Sequence, residues 1–258
     1  MIILNYWWQL LVAGLGVYLI CNINFAVIFS KKIKHQDIRQ FGSGNPGTTN
    51  VVRTFGLKMG ALTFTCDLTK GVIAALIGRY LFFAFTGNLS LSIFAGFFLA
   101  LCAVLGHMYP VFLKFKGGKG VATSLGAMLV LNPVLTLICL AFAVLIIFLT
   151  DKMSIFALLN ITAQFIYTAI YALTNSALTA DGVAIPVTVT IGIIWLVIVI
   201  AHRGNIKRLL TGTENNSGVR AGLFSKRKTE KEKTEEDKTE RIEKLTEQKI
   251  EKVSENIE

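Results

Sequence analysis

Long apolar runs alternate with short polar stretches over the first 210 residues. The longer runs cover about residues 7–30, 61–86, 89–113, 155–173 and 185–201, and two shorter runs cover 121–131 and 134–149. A helix needs roughly 20 apolar residues to cross a bilayer, and 53% of the chain is hydrophobic. The pattern therefore predicts an all-α, polytopic membrane helix bundle.

Lysine and arginine positions predict how the bundle is oriented. They follow the first span, surround residues 114–119, include Lys152 and follow His202, whereas the turns at 87–88, 132–133 and 175–181 carry none. Basic loops face the cytoplasm, which places the N-terminus outside and the C-terminus inside. This orientation requires residues 121–131 and 134–149 to be two short crossings or a re-entrant pair, giving about seven membrane segments. Five segments are the alternative, if 121–149 is a single bent span.

Charge divides the chain into two parts. The whole chain has 26 Lys/Arg and 16 Asp/Glu, and residues 226–258 hold 10 and 11 of these, so the first 225 residues keep 16 basic and 5 acidic residues. We therefore predict a membrane domain over residues 1–222 and a charged tail over 223–258 that is either disordered or a solvated helix. The basic excess of the membrane domain suits an anionic substrate or anionic lipid, and we expect no nucleic-acid partner.

Cysteine usage gives no sign of a metal or disulfide framework. Cys21, Cys66, Cys102 and Cys139 are scattered through apolar runs and form no CxxC pair, so no metal site is expected. The N-terminal apolar run lacks a basic leader and continues past Leu19, which argues against a cleaved signal peptide.

A glycine-rich basic turn, Gly117-Gly118-Lys119-Gly120, precedes a helical pattern that starts at Val121. Glycines allow backbone N–H groups to converge, and a helix N-terminus favours an anion. A phosphate group is the expected ligand, although the spacing is not that of a Walker A loop. A basic loop that touches lipid headgroups is the alternative.

A second candidate turn covers residues 41–53 and contains Ser43 and Asn45. Thr48, Thr49 and Asn50 resemble helix N-cap residues, and Arg53 could hold a phosphate in a bidentate manner.

The third polar stretch covers residues 202–214. His202 and Asn205 are spaced to share a helix face, and Glu214 is expected to hold the loop through an ion pair rather than act as a base. Ser154 is a weaker candidate at the same membrane face. Asp67 and Lys70, also three residues apart, are interpreted as a structural ion pair inside the second span.

Four segments in this order resemble the bacterial acyl-phosphate-dependent glycerol-3-phosphate acyltransferases, an integral membrane family that makes lysophosphatidic acid. The matching segments are GSGNPGTTNVVRTFG at Gly42–Gly56, CDLTKG at Cys66–Gly71, GHMYPVFLKFKGGKGVAT at Gly106–Thr123 and HRGNIKRLLTGTE at His202–Glu214. The resemblance covers about Trp7 to Glu214 and leaves the tail outside.

The resemblance implies a reaction, partners and a location. A fatty acyl group would move from acyl phosphate to the sn-1 hydroxyl of glycerol 3-phosphate, giving lysophosphatidic acid and phosphate for phospholipid biosynthesis, with no metal or other cofactor. The substrates, membrane lipid and a functional link to the enzyme that produces acyl phosphate are the expected partners. The expected location is the bacterial cell membrane, with a multi-pass chain whose active site faces the cytoplasm.

The resemblance, together with the residue patterns, also assigns roles. Catalytic roles are expected for Ser43, Arg53, Lys119, His202 and Asn205. Substrate contacts are expected for Asn45, Thr49, Asn50, Gly117, Gly118, Gly120 and Ser154, and structural roles for Asp67, Lys70 and Glu214. His202 is interpreted as a hydrogen-bond donor that orients glycerol 3-phosphate, because the departing phosphate can accept the hydroxyl proton.

A carrier or channel for a small anion is the rival class, because its lining would also be basic and rich in helix ends. It predicts polar groups at both membrane faces and an internal repeat. The sequence has neither pattern.

Overall fold

The computed structural model describes residues 2–223, which form helices joined by short turns. Four short segments are 3₁₀ or π turns: Ile2–Asn5, Ile38–Gln40, Ile77–Leu81 and Val111–Leu113. The α-helices are α1 (Trp7–Cys21), α2 (Phe25–Lys34), α3 (Thr48–Phe55), α4 (Leu57–Leu76), α5 (Phe82–Thr86), α6 (Leu89–Met108), α7 (Val121–Leu131), α8 (Pro133–Thr150), α9 (Met153–Thr174), α10 (Ser176–Ala180), α11 (Ala184–Ala201) and α12 (Arg203–Leu210).

The described residues confirm an all-α membrane bundle. Six helical segments are long and apolar enough to cross a bilayer: Trp7–Lys34, Leu57–Thr86, Leu89–Leu113, Pro133–Thr150, Met153–Thr174 and Ala184–Ala201. The shorter apolar helix Val121–Leu131 brings the apolar segments to the predicted seven. Which side of the membrane each end faces stays a prediction.

The break between α7 and α8 favours seven segments over five. Asn132 leaves the helical conformation (φ −134°, ψ 62°), and Pro133 starts a new helix. Since the 18 residues of Pro133–Thr150 are long enough to cross alone, α7 is not needed to complete that span.

The membrane domain forms one compact unit that ends at Gly218. Residues 224–258 lie outside the described part of the chain, so both the predicted domain boundary and the predicted state of the tail stay predictions.

The first span is not the continuous helix that its apolar run suggests. It is interrupted between α1 and α2, where Asn24 accepts a hydrogen bond from the Val27 N–H group at 3.0 Å and so caps α2. Asn24 also donates to the Pro46 carbonyl at 3.1 Å, and Asn22 accepts from the backbone of Val111. Both asparagines face the protein, as their polarity requires in a membrane.

Helix α6 is the centre of the bundle. Fifteen of its twenty residues are buried, and it packs against α1, α4, α7 and α11. Several of the buried residues are small, including Ala95, Gly96, Ala100 and Gly106. Small side chains allow helices to approach closely in a membrane, where dispersion contacts replace the hydrophobic effect.

Helices α4 and α7 are in backbone contact through two glycines. A Cβ atom at Gly71 would lie 1.9 Å from the Thr123 carbonyl oxygen, and one at Gly126 would lie 2.0 Å from that of Leu68. These two contacts hold the start of α7, which follows the glycine-rich turn, beside the middle of α4.

Substituting Gly71→Ala should lower both the thermal denaturation temperature and activity, because the added methyl group has no space beside the backbone of α7. Overpacking of this kind costs about 1–3 kcal/mol. Gly16→Ala in α1 is the matched control, since its methyl group would meet nothing within 4 Å. Equal melting temperatures of the two variants in detergent would contradict a close contact between α4 and α7.

Single cysteines introduced at exposed ends of the helices test the orientation. We expect Asn88→Cys and Ser176→Cys to react with a membrane-impermeant maleimide in intact cells, and Lys116→Cys and Lys207→Cys to react only after permeabilisation. The unsubstituted chain, with its four native cysteines, gives the background. External labelling at position 116 or 207 would contradict the orientation.

Candidate active site

One pocket brings together residues from all three polar stretches of the sequence. Its volume is about 120 Å³. The sequence-predicted residues that line it are Ser43, Asn45, Thr49, Asn50, Arg53, Asp67, Lys119, Gly120, Ser154, His202, Asn205 and Glu214. Gly117, Gly118 and Lys70 are not among its lining residues.

Asn50 holds the first turn in place. Its Oδ1 accepts from the Ser43 N–H group at 3.1 Å, and its Nδ2 donates to the carbonyls of Phe41 (2.9 Å) and Ile38 (3.3 Å). These three bonds give the buried amide a structural role. Asn50 also lines the pocket, and its substrate contact stays a prediction. The expected threonine cap is also absent at the start of α3, where Gly47 is the N-cap residue.

The glycine-rich turn offers fewer free N–H groups than its sequence suggests. Gly117 donates its N–H group to the Met108 carbonyl (3.0 Å), and Gly118 donates to the His107 carbonyl (3.2 Å). The expectation that these two groups cradle a phosphate is therefore corrected: they fasten the turn to the end of α6. A Cβ atom at Gly117 would lie 2.1 Å from the His107 carbonyl oxygen, which explains the glycine.

The N-terminus of α7 borders the pocket. Gly120 has the left-handed conformation (φ 80°), and α7 begins at Val121 as predicted. The N–H groups of the first helical turn have no partner within the helix, and Gly120, Val121 and Ala122 line the pocket. This helix N-terminus supplies donors and a positive dipole to an anion.

The carboxylate of Glu214 connects the third stretch to α9. Its Oε1 accepts from Asn205 Nδ2 (2.6 Å) and Ser154 Oγ (2.9 Å), and its Oε2 accepts from Arg208 Nε (2.8 Å). Burial raises the pKa of Glu214, but the hydrogen bonds from Asn205, Ser154 and Arg208 outweigh burial and hold it below its usual value. A carboxylate held in this way is a poor general base, so its structural interpretation fits the geometry.

Lys119 is a half-buried cation at the pocket wall. Its ammonium donates to Oδ1 of Asn205, and Asn205 in turn donates to Glu214. Burial, together with the charge of Arg208, lowers the pKa of Lys119 to about 8. This lysine therefore titrates closer to physiological pH than an ordinary lysine does.

His202 presents a hydrogen-bond acceptor to the pocket. Its Nδ1 lies 2.8 Å from the Ile198 carbonyl, and because a carbonyl only accepts, Nδ1 carries the proton. Burial, reinforced by the charge of Lys119, lowers the pKa of His202 to about 4. The ring is therefore neutral near pH 7 and Nε2 has a free lone pair. This reverses the interpretation of His202 as a donor to the substrate.

Arg53 links α3 to the segment that follows Glu214. Its guanidinium donates from Nε to the Asn216 carbonyl and from Nη2 to the Asn215 carbonyl. These two bonds use two of its five N–H groups. Arg53 therefore combines a structural anchor with further donors at the pocket wall.

Known proteins resemble this chain over most of its length. A family model described as glycerol-3-phosphate acyltransferase matches residues 11–212. The chain belongs to the glycerol-3-phosphate acyltransferase family.

Relatives in this acyltransferase family are similar over nearly their full length. A glycerol-3-phosphate acyltransferase of Clostridioides difficile (strain 630) is 41% identical over 208 residues, which are 81% of this chain and 95% of the relative. One from Thermoanaerobacter sp. (strain X514) is 43% identical over 201 residues, 78% of this chain and 92% of the relative.

Two solved structures share the acyltransferase fold. Both are crystal structures of PlsY (YgiH), described as an integral membrane glycerol 3-phosphate acyltransferase, and both are 35% identical to this chain. The glycerol 3-phosphate form has a TM-score of 0.69 and covers 84% of this chain and 99% of its own. The lysophosphatidic acid form has a TM-score of 0.65, with 81% and 95% covered.

Two ionisable side chains among the pocket residues, Arg208 and His107, were not assigned to the site from the sequence. Arg208 lies three residues after Asn205 on the same face of α12, a spacing that could have identified it. His107 comes from α6 and contacts the predicted Asp67–Lys70 ion pair, whose Nζ–Oδ1 distance is 2.8 Å. No local spacing connects His107 to residues 67 and 70, so only the fold reveals that contact.

No metal site accompanies the pocket within residues 2–223, where no group of three or more His, Cys, Asp or Glu side chains could hold an ion.

The lowered pKa of Lys119 gives a pH prediction. Lys119 is charged below its pKa and neutral above it, so kcat/KM for glycerol 3-phosphate should fall as the pH rises through about 8. In Lys119→Arg the guanidinium stays charged to above pH 12, so any activity it retains should not fall near pH 8. Initial rates from pH 6.5 to 9.5, corrected for spontaneous hydrolysis of the acyl donor, test this. The same alkaline fall in both proteins would exclude Lys119 as its cause.

Proposed function

We propose that this chain transfers a fatty acyl group from acyl phosphate to the sn-1 hydroxyl of glycerol 3-phosphate, releasing lysophosphatidic acid and phosphate. The supporting observation is a single pocket that combines three cationic side chains, the N-terminus of α7 and an apolar wall. The cations are Lys119, Arg53 and Arg208. Two phosphate-bearing substrates need such a concentration of positive charge, and an acyl chain needs the apolar wall.

The apolar wall is made by helices α4 and α9. Phe64, Met153, Phe156 and Ala157 line the pocket on this side. An acyl chain bound there would be shielded from water while its phosphate group lies beside the cations. The reacting carbonyl would then lie where the polar and apolar parts of the pocket meet.

The chemistry requires little more than positioning and charge stabilisation. The sn-1 oxygen attacks the acyl carbonyl carbon, the bond from that carbon to the phosphate oxygen breaks, and phosphate leaves. Negative charge that develops on the carbonyl oxygen is stabilised by Lys119 and by the N–H groups of Val121 and Ala122. The hydroxyl proton moves to the departing phosphate.

His202 orients the attacking hydroxyl in this scheme. A neutral ring with its proton on Nδ1 can accept a hydrogen bond from the sn-1 hydroxyl at Nε2. That contact aims an oxygen lone pair at the carbonyl. With a pKa of about 4, the ring is too weak a base to remove the proton outright.

The cellular setting is part of the proposal. The basic residues around the pocket indicate that it faces the cytoplasm of a bacterial cell membrane. Acyl phosphate would come from a cytoplasmic enzyme that forms it, and the acyl chain would enter from membrane lipid.

The decisive assay offers purified protein three acyl donors with labelled glycerol 3-phosphate: palmitoyl phosphate, palmitoyl-CoA and palmitoyl-acyl carrier protein. We expect labelled lysophosphatidic acid and free phosphate only from palmitoyl phosphate. Lys119→Ala should lower kcat/KM at least tenfold to a hundredfold, since a charge-assisted contact is worth about 1.5–3 kcal/mol. Product from palmitoyl-CoA at an equal rate, or phosphate uptake into vesicles without ester formation, would overturn the proposal.

Two substitutions at His202 separate hydroxyl orientation from general base catalysis. His202→Gln can still accept a hydrogen bond, so it should keep measurable turnover at saturating glycerol 3-phosphate with a raised KM. His202→Ala should retain less activity. Thermal melts confirm that both variants fold. If the Gln variant is as inactive as the Ala variant at saturation, His202 acts as the base.

A further inference from the structure

His107 lies in the wall of the same pocket as Lys119 but has no role in the scheme above. It belongs to α6, and only 4% of its surface is exposed. The glycine-rich turn passes directly over its ring, since a Cβ atom at Gly118 would lie 2.1 Å from Nε2. A buried imidazole therefore lies beneath the glycine-rich turn, at the wall of the pocket.

Lys70 determines which nitrogen of His107 carries the proton. The Lys70 ammonium lies 2.8 Å from the Ile23 carbonyl, 2.8 Å from Asp67 Oδ1 and 3.2 Å from His107 Nδ1. An ammonium has three donors and accepts nothing, so Nδ1 must accept from it. The distance from Nδ1 to Asp67 is longer, at 3.4 Å.

With Nδ1 accepting from Lys70, the ring N–H group of His107 is on Nε2. Within residues 2–223, the hydrogen bond found for the His107 ring uses Nδ1, which leaves the Nε2–H group on the side of the turn and the pocket.

We propose that His107 is a further substrate-binding residue, whose Nε2–H group donates to a phosphate oxygen of a bound substrate. Asp67 and Lys70 act as positioning residues, because the carboxylate fixes the ammonium and the ammonium fixes the tautomer. The inference rests on the proposed acyl transfer, in which acyl phosphate and glycerol 3-phosphate each bring a phosphate group.

His107 and His202 are thereby complementary in the pocket. His202 carries its proton on Nδ1 and accepts through Nε2, whereas His107 accepts through Nδ1 and donates through Nε2. An acceptor suits a substrate hydroxyl and a donor suits a phosphate oxygen. The two rings can therefore distinguish the two kinds of oxygen on the substrates.

Nitrogen-15 spectra of histidine-labelled protein in micelles read the tautomers directly. The chain has three histidines, so His35→Gln and His202→Gln assign the remaining signals. We expect the Nε2–H tautomer for His107, and Lys70→Met should reduce its fraction. An Nδ1–H tautomer for His107 in the wild-type protein would overturn the proposal.

Ligand titrations distinguish a binding role from a packing role. Glycerol 3-phosphate and a hydrolysis-resistant acyl phosphonate are added separately to the labelled protein. The ligand whose phosphate or phosphonate oxygen His107 contacts should shift its Nε2 signal. If neither ligand shifts it in a sample that makes lysophosphatidic acid, the inference fails while the proposed function stands.

Kinetic measurements on His107 variants test the same substrate contact. His107→Leu should lower kcat/KM roughly tenfold to a hundredfold through the KM of one substrate, as loss of one hydrogen bond to a charged group implies. His107→Gln, which keeps a hydrogen-bond donor, should recover part of the lost kcat/KM. The exposed control His35→Gln should have the kcat/KM of the wild type. A folded His107→Leu protein within twofold of wild type for both substrates would overturn the proposal.

Discussion

The buried carboxylate of Glu214 is the interaction on which the active site depends. It accepts hydrogen bonds from Ser154 on α9 and from Asn205 and Arg208 on α12. Asn205, held in this way, accepts a hydrogen bond from Lys119 and so orients the ammonium group. One anion therefore orients groups from separate helices. Removing a partner from such a buried network leaves unsatisfied charge, which costs more than the net value of any single bond.

The pocket remains short of negative charge despite this carboxylate. Lys119 has a pKa of about 8 and His202 a pKa of about 4, and in both cases burial is the main cause. A bound phosphate would raise the pKa of both side chains, because a nearby negative charge favours their protonated forms. Substrate binding and the charge state of the pocket are thus coupled, because the anionic substrates supply the negative charge that stabilises the protonated side chains.

The sequence predicted the helical architecture better than it predicted the details of the site. Apolar runs located the spans, and the start of α7 at Val121 was correct because a glycine turn precedes an unbroken apolar pattern. The break after Cys21 was missed because Asn22 and Asn24 sit in an otherwise apolar run. Residue types indicated phosphate chemistry, yet the N–H partners of Gly117 and Gly118 depend on where α6 ends, which no local pattern reports.

The most direct test of the central claim is the KM for glycerol 3-phosphate in Glu214→Gln. If the carboxylate acts by positioning its neighbours, the neutral amide releases Arg208, loosens Asn205, and raises KM at least tenfold. If only local charge matters, removing a negative group beside an anion site should tighten binding. Asp181→Asn, a loss of negative charge outside the pocket residues, is the control and should match wild type. An unchanged or lowered KM in Glu214→Gln would contradict the account.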